Sequence, residues 1–216
     1  MKITNEDNMK LMSRYEDNHF DIAIVDPPYG IGISSNPVRQ KHNKKKWDDN
    51  IPQKEYFDEL FRVSKDQIIW GGNYFDLPPT QGFFIWDKKQ PHDFSLAMCE
   101  YAWSSLQKPA KMWSLSVLKE KGKIHPTQKP VELYEWILLN NAQKKCDHKH
   151  GEQDRSICSD CRNSDVKILD THLGSGSIAI ACHNLGFDLT ACELDEEYFN
   201  AAIKRIEQHK AQQRLF

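Results

Sequence analysis

Nowhere does this 216-residue sequence hold roughly 18 consecutive apolar residues, so no segment is long enough to cross a membrane as a helix. The opening MKITNEDNMK lacks the apolar core of a secretory signal, and the chain is expected in the cytoplasm with no membrane partner. No charge of one sign prevails. The formal net charge is −2, so overall charge gives no argument for nucleic acid. Internal repeats and low-complexity linkers are absent as well. With 39% apolar and 28% charged residues, the composition allows a packed core, and the length suits one α/β domain spanning 1–216 better than two.

What is present alternates between strand and helix. Residues 1–4 and 21–25 read as short strands. KEYFDELFRVSK sets Tyr56, Phe57, Leu60 and Phe61 at helical spacing. QIIW (67–70), ended by Gly71 and Gly72, reads as a buried strand, and GFFIW (82–86) and EYAW (100–103) as two more. Pro130 opens a helix. VKIL (166–169) is a strand, SIAIACHNLG a helix closed by Gly186, and FDLTAC a strand. Asp195 caps a last helix that sets Tyr198, Phe199, Ala202, Ile203 and Ile206 on one face. Such alternation predicts a mostly parallel sheet with helices on both faces. Cys99, Cys182 and Cys192, each alone among apolar neighbours, read as buried thiols.

Late in the chain, ILDTHLGSGSIAIA runs strand, acid, glycine loop, helix. Gly174 and Gly176 let backbone approach a ligand, and the helix after them offers unpaired N–H groups. The next strand ends in Glu193, placed to accept both hydroxyls of a ribose. Glu193 also reads as a helix N-terminal acid, but Asp195 already fills that role. A dinucleotide would need a third glycine and a pyrophosphate site, yet Asp170 puts negative charge there. That favours a cofactor with a cationic portion, such as S-adenosylmethionine.

Two further stretches are poor choices for structure alone. In IVDPPYG an apolar strand ends in Asp26, then Pro27, Pro28 and Tyr29, and HPTQKP spans 125–130. A rigid turn capping a strand is the bland alternative for the first. Taken with DTHLGSGS, these motifs resemble the DNA amino-methyltransferases, in the group whose catalytic motif precedes the cofactor motif. The resemblance covers roughly residues 1–142 and 166–212. It implies a Rossmann-like S-adenosylmethionine-dependent methyltransferase fold, circularly permuted, with residues 1–4 supplying the strand beyond the last helix. It implies Asp26, Pro27, Pro28 and Tyr29 as the catalytic motif. Asp170, His172, Gly174, Ser175, Gly176, Ser177 and Glu193 are implied to hold the cofactor, with Thr127 and Lys129 near its methionine end and Asp7 by its adenine. His172 departs from the phenylalanine often found there.

The chemistry fits these residues. An exocyclic amine conjugated to a base ring is a weak nucleophile. An acceptor on each amine hydrogen favours a more tetrahedral nitrogen. Asp26 offers a carboxylate and Pro27 a carbonyl, whose direction Pro28 fixes by forcing its predecessor to be extended. Tyr29 offers a flat face to a displaced base. Methyl transfer then needs orientation rather than a covalent enzyme intermediate. The base must be flipped out of double-stranded DNA to be reached.

Two polar segments complete the reading. NPVRQKHNKKKW holds Arg39, Lys41, Lys44, Lys45 and Lys46, either a solvated loop or a grip on phosphates. Residues 143–165 look like an insertion. There Cys158-x-x-Cys161 with Cys146 and either His148 or His150 has the spacing of one structural zinc, against a plain loop with free thiols. Target specificity is expected from 34–50 and 104–124, since no separate recognition domain is visible. The leading reading is adenine-N6 methylation of DNA. The alternatives are cytosine-N4 methylation, methylation of an RNA base or a protein glutamine, and a non-catalytic zinc-containing nucleic-acid-binding module. A homodimer and a cognate restriction nuclease are partners that the resemblance admits.

Overall fold

Apolar side chains on both sides of the central strands decide the architecture. The computed structural model describes residues 1–32, 48–91, 93, 97–116, 123–142 and 165–213. Within them, strands β1 (Lys2–Asn5), β2 (Phe20–Val25), β3 (Ser64–Trp70), β4 (Phe83–Asp87), β5 (Cys99–Ser104), β6 (Lys111–Ser114), β7 (Lys167–Asp170) and β8 (Asp188–Glu193) join one sheet in the order β1-β8-β7-β2-β3-β5-β4-β6. The helices are α1 (Asn8–Met12), α2 (Lys54–Val63), α3 (Val131–Asn141), α4 (Ser177–Leu185) and α5 (Glu196–Gln213).

Along β2, Ile22 and Ile24 enter one core while Ala23 and Val25 enter the other, and β3 splits Ile68 and Trp70 from Ile69 in the same way. This is the period-two alternation of a strand buried on both faces. One core takes Leu133, Ile137 and Leu138 of α3, the run from Ile178 to Cys182 of α4, and Ala202 and Ile206 of α5. The other takes Leu11 and Met12 of α1 and Tyr56, Phe57, Leu60 and Val63 of α2. Each Leu, Ile, Val, Met or Phe side chain among them, once fully buried, contributes about 1.5–3 kcal/mol before the entropy of ordering it. Helices therefore cover both faces, as the alternation predicts.

The pairings β1–β8, β8–β7, β7–β2, β2–β3 and β4–β6 are parallel, while β3–β5 and β5–β4 are antiparallel. β1 lies beside β8, where the permuted order puts it. Elements before and after 143–164 share the sheet, since β2 pairs with β7. Pro130 is the residue before α3, with φ −62° and ψ 146°, rather than its first helical residue. Cys182 and Cys192 are buried, but Cys99 is exposed. Cys99 starts β5 at the rim of the cleft, where the first residues of the strand are less buried than the last three.

The reversal of β5 positions the site. In a parallel sheet, ligands gather at the carboxyl ends of the strands. Because β5 runs against β3, its first residues reach that same edge, two positions past the Trp70–Ala102 pair. β4 runs against β5, so Lys88, just after it, returns there too, with its N–H donated to the Met98 carbonyl at 3.0 Å.

Candidate active site

A cleft of about 1640 Å³ opens along this edge and is lined by the ends of β2, β4, β5, β7 and β8 together with the 123–129 loop. Asp26 follows β2 directly. Pro27 and Pro28 have no N–H to offer, so the chain leaves the sheet there. The loop is fastened one residue later. The buried Asp48 carboxylate accepts the N–H groups of Tyr29 at 2.8 Å and Gly30 at 3.0 Å. The Tyr29 hydroxyl donates to Asp26 Oδ1 at 2.6 Å. Its ring stacks on Tyr74, centroids 5.0 Å apart and planes 13° from parallel.

Asp26 is one end of a chain of alternating charges. Lys129 Nζ donates to Asp26 Oδ2 at 2.5 Å and lies 3.1 Å from Glu100 Oε2. Glu100 Oε1 in turn pairs with Lys88 Nζ at 2.6 Å. The Lys129 side chain is only 2% exposed. Its cation also sits over the Trp70 ring at 5.0 Å. Burial alone would discharge this ammonium, but the two carboxylates hold its pKa above the ordinary lysine value. Burial pushes Asp26 up, and Glu100 adds to this while Lys129 and the Tyr29 hydroxyl oppose it. Glu100, between two lysines, is held down at about 2 despite its burial.

The second half of the cleft is the glycine loop. Gly174 and Gly176 take left-handed backbone, φ +52° and +74°, and so turn β7 into α4 within a few residues. Gly174 N–H donates to Glu193 Oε2 at 2.9 Å, and Asp195 N–H donates to Oε1 at 3.0 Å. Asp195 caps α5 by accepting the Tyr198 N–H at 3.0 Å. Ser177 Oγ donates to the Lys129 carbonyl at 2.7 Å, and Arg205 donates to the Ser175 carbonyl at 2.9 Å, so the loop is tied to both its neighbours. Asp170 is buried, and its Oδ1 accepts the His172 N–H at 3.0 Å. Burial, aided by Asp26 and Glu193, pushes its pKa up to about 8 against the His172 N–H and Lys129.

The loop fits the nucleoside of S-adenosylmethionine. Asp170 and Gly176 do not line the cleft; Asp170 is buried behind the loop, forms no ion pair among the described residues, and would need a cation nearby to lose its proton at neutral pH. Each Glu193 oxygen already accepts one N–H and has a lone pair left for a hydroxyl.

Asp26, Pro27, Pro28 and Tyr29 share the cleft with Asp7, Thr127, Lys129, His172, Gly174, Ser175, Ser177 and Glu193. Asp7 caps α1, its carboxylate accepting the Met9 and Lys10 N–H groups at 3.0 and 3.1 Å. Thr127 Oγ1 lies 3.1 Å from His125 Nδ1. Lys129, expected near the methionine end of the cofactor, turns its ammonium to Asp26 and Glu100, while its carbonyl accepts from Ser177 Oγ of the glycine loop. His172 turns into the protein. Asn8 Nδ2 donates to its Nε2 at 3.2 Å, Thr171 Oγ1 lies 2.9 Å from its Nδ1, and its ring meets the edge of Tyr56. Burial holds its pKa down to about 4, so it is neutral at neutral pH.

Sequence reasoning missed Glu100, Lys88, Asp48 and Tyr74. A signal existed for the first two: a base just past one apolar strand and an acid near the start of the next. Cys146, His148, His150, Cys158 and Cys161 lie outside the described residues, as do Arg39, Lys41, Lys44, Lys45 and Lys46. Among the described residues no cluster of His, Cys, Asp and Glu is arranged to hold a metal, and no helix is long and apolar enough to cross a membrane.

Comparison with known proteins gives the family and the fold. The chain is 22% identical to the Type II methyltransferase M.HpaI of Haemophilus parainfluenzae, over 92% of this chain and 72% of that protein. It is 25% identical to the Type II methyltransferase M2.MboI of Moraxella bovis, over 90% of this chain and 83% of that protein. The crystal structure of an M1.HpyAVI–SAM complex matches with a TM-score of 0.54 at 20% identity, covering 94% of this chain and 98% of that one. The PvuII DNA methyltransferase (cytosine-N4-specific) matches with a TM-score of 0.56 at 12% identity, covering 97% and 89%. Both likenesses carry the fold. A sequence model of the DNA methylase family matches residues 85–204, more than half of the chain. The chain belongs to the DNA methylase family, the amino-methyltransferases that use S-adenosylmethionine.

Proposed function

We propose that this enzyme methylates adenine N6 in double-stranded DNA on a base flipped into the cleft, with Asp26 as the acceptor for the target amine. One observation carries the reading. Asp26 lies in the same cleft as the Gly174–Glu193 cradle, is bonded on each oxygen by one donor, and keeps two further lone-pair positions. Tyr29 and Lys129 fix its plane, and Lys129 supports its charged form.

When bound, S-adenosylmethionine would supply an electrophilic methyl whose bond to sulfur breaks, the bonding pair staying on the neutral thioether that leaves. The protein's part is to orient and to accept. Asp26 and the Pro27 carbonyl each accept one amine hydrogen, which directs the nitrogen lone pair out of the ring plane. The new N–C bond leaves the nitrogen with one proton too many, and Asp26 is the base in place to take it. The stacked pair Tyr29 and Tyr74 gives the flipped base an aromatic platform. Glu193 holds the donor's ribose. Adenine is favoured over cytosine because the Asp-Pro-Pro-Tyr form of the motif, as Asp26–Tyr29 has it, goes with adenine in the proteins it resembles. The fold itself serves both bases, since a cytosine-N4-specific enzyme shares it.

Asp26→Ala and Glu193→Ala test the division of labour. The first is expected to abolish methyl transfer with S-adenosylmethionine affinity within about three-fold of wild type. The second is expected to weaken that affinity roughly 10- to 100-fold, as the removal of charge-assisted hydrogen bonds implies. Wild-type turnover in Asp26→Ala, or an unchanged dissociation constant in Glu193→Ala, removes that residue from its assigned role.

A further inference from the structure

Lys129 does not belong to Asp26 alone. Its ammonium is 2.5 Å from Asp26 Oδ2 and 3.1 Å from Glu100 Oε2, and Glu100 is anchored from behind by Lys88 at 2.6 Å. The four residues come from four separate places: the end of β2, the end of β4, the start of β5 and the 123–129 loop. Only β5 running against its neighbours brings Glu100 to this edge. Two cations and two anions leave the cluster neutral. Neutrality alone needs only Asp26 and Lys129, so the second pair requires a reason.

Removing Glu100 in thought supplies one. Lys129 would then press on Asp26 with its whole charge, and the carboxylate would be a weaker acceptor for the amine. Once Asp26 took up the amine proton, Lys129 would be a buried cation with no counterion, a state that burial strongly disfavours. With Glu100 present, neither problem arises. Resting on the assignment of Asp26 above, we propose that Glu100, held by Lys88, is a positioning residue for methyl transfer, sharing Lys129 with Asp26 and keeping it paired after Asp26 is protonated. Glu100 touches the lysine and acts through it.

The charged and titratable groups around Asp26 are Lys129 and Tyr29, which bond it, and Glu100, Tyr134 and Asp170 nearby. Of these, Glu100 raises the proton affinity of Asp26 and Lys129 lowers it. Losing Glu100 therefore moves the titration of Asp26 downward.

The test is the pH profile of single-turnover methyl transfer in Glu100→Gln and in the charge-balanced double variant Lys88→Met/Glu100→Gln. S-adenosylmethionine binding by calorimetry serves as the folding check, and Asp26→Ala as the control. Both variants are expected to show the acid limb shifted down by about one pH unit and the plateau rate lowered roughly ten-fold or more. Cofactor affinity should stay within about three-fold. If Glu100→Gln does not fold, the double variant, which leaves no orphaned charge at Lys88, carries the reading. An acid limb that stays put, whatever the loss of rate or stability, overturns the proposal and makes Glu100 merely structural. Activity in Asp26→Ala would overturn the assignment of Asp26 instead.

Discussion

Gly71→Ala adds one methyl group beneath Tyr29. Gly71 has φ +68°, and an ideal Cβ there would lie 2.2, 2.5 and 2.7 Å from three ring atoms of Tyr29. Ordinary carbon–carbon contact is about 3.5–4.0 Å, so the ring must retreat by about 1 Å or more. It is held by its bond to Asp26 at 2.6 Å and its stack on Tyr74, and any retreat strains both. The left-handed backbone costs about 1–2 kcal/mol with a side chain present. Overpacking adds about 1–3 kcal/mol. A total of about 2–5 kcal/mol lowers Tm by about 4–20 °C for a chain of this size. The functional arm is larger, because a misplacement of about 1 Å in an oriented reaction costs roughly 100-fold in rate. The assay combines thermal unfolding, single-turnover methyl transfer and calorimetric S-adenosylmethionine binding, which should stay within about three-fold. In a Tyr29→Ala background the clash is gone, and Gly71→Ala should cost only its backbone part, a coupling of about 1–3 kcal/mol. Strictly additive stabilities, or a wild-type rate in Gly71→Ala, would refute the packing argument.

Asp170 gives a pH signature. The folded protein holds its proton up to about 8, while an unfolded aspartate releases it near ~3.9. Between these values the native state binds more protons, so this group's contribution makes stability fall as pH rises from ~4 to ~8. Asp170→Asn should flatten that fall in a Tm-versus-pH series, and identical slopes would contradict the buried-acid reading. Neutralising Lys44, Lys45 and Lys46 should reduce the salt dependence of DNA binding by roughly 0.9 in log–log slope for each phosphate no longer neutralised, and an unmoved slope leaves a solvated loop. If Cys146, Cys158 and Cys161 with His148 or His150 bind zinc, protein purified without chelator should carry about one zinc per chain. Metal-free protein with all three thiols titratable would leave a plain polar segment.

Local signals carried much of the architecture. Asp195 as a cap, Gly174 and Gly176 before α4, and the two-sided apolar pattern of β2 are properties of a few adjacent residues, and they are where the sequence put them. Long-range pairing was not legible in this way. Nothing within EYAW says that β5 runs antiparallel between β3 and β4, because pairing depends on the whole sheet. Glu100 therefore read as an ordinary strand residue, and Lys129 as a cofactor neighbour, although it meets Asp26 across 103 positions of chain. The same gap misplaced Cys99, whose apolar neighbours suggest burial while its position on the cleft rim exposes it. β6 escaped notice because KMWS is a short strand that, among the described residues, lies at the sheet edge and pairs with β4.

Transfer of a labelled methyl tests adenine N6 as the target of Asp26 and its neighbours most directly. Unmethylated DNA should be incubated with the enzyme and S-adenosylmethionine carrying a labelled methyl, then digested to nucleosides and separated by mass. The label is expected in N6-methyladenosine of the deoxy series, with none in DNA treated with Asp26→Ala. Label in N4-methylcytosine, or in no nucleoside at all, would contradict the account.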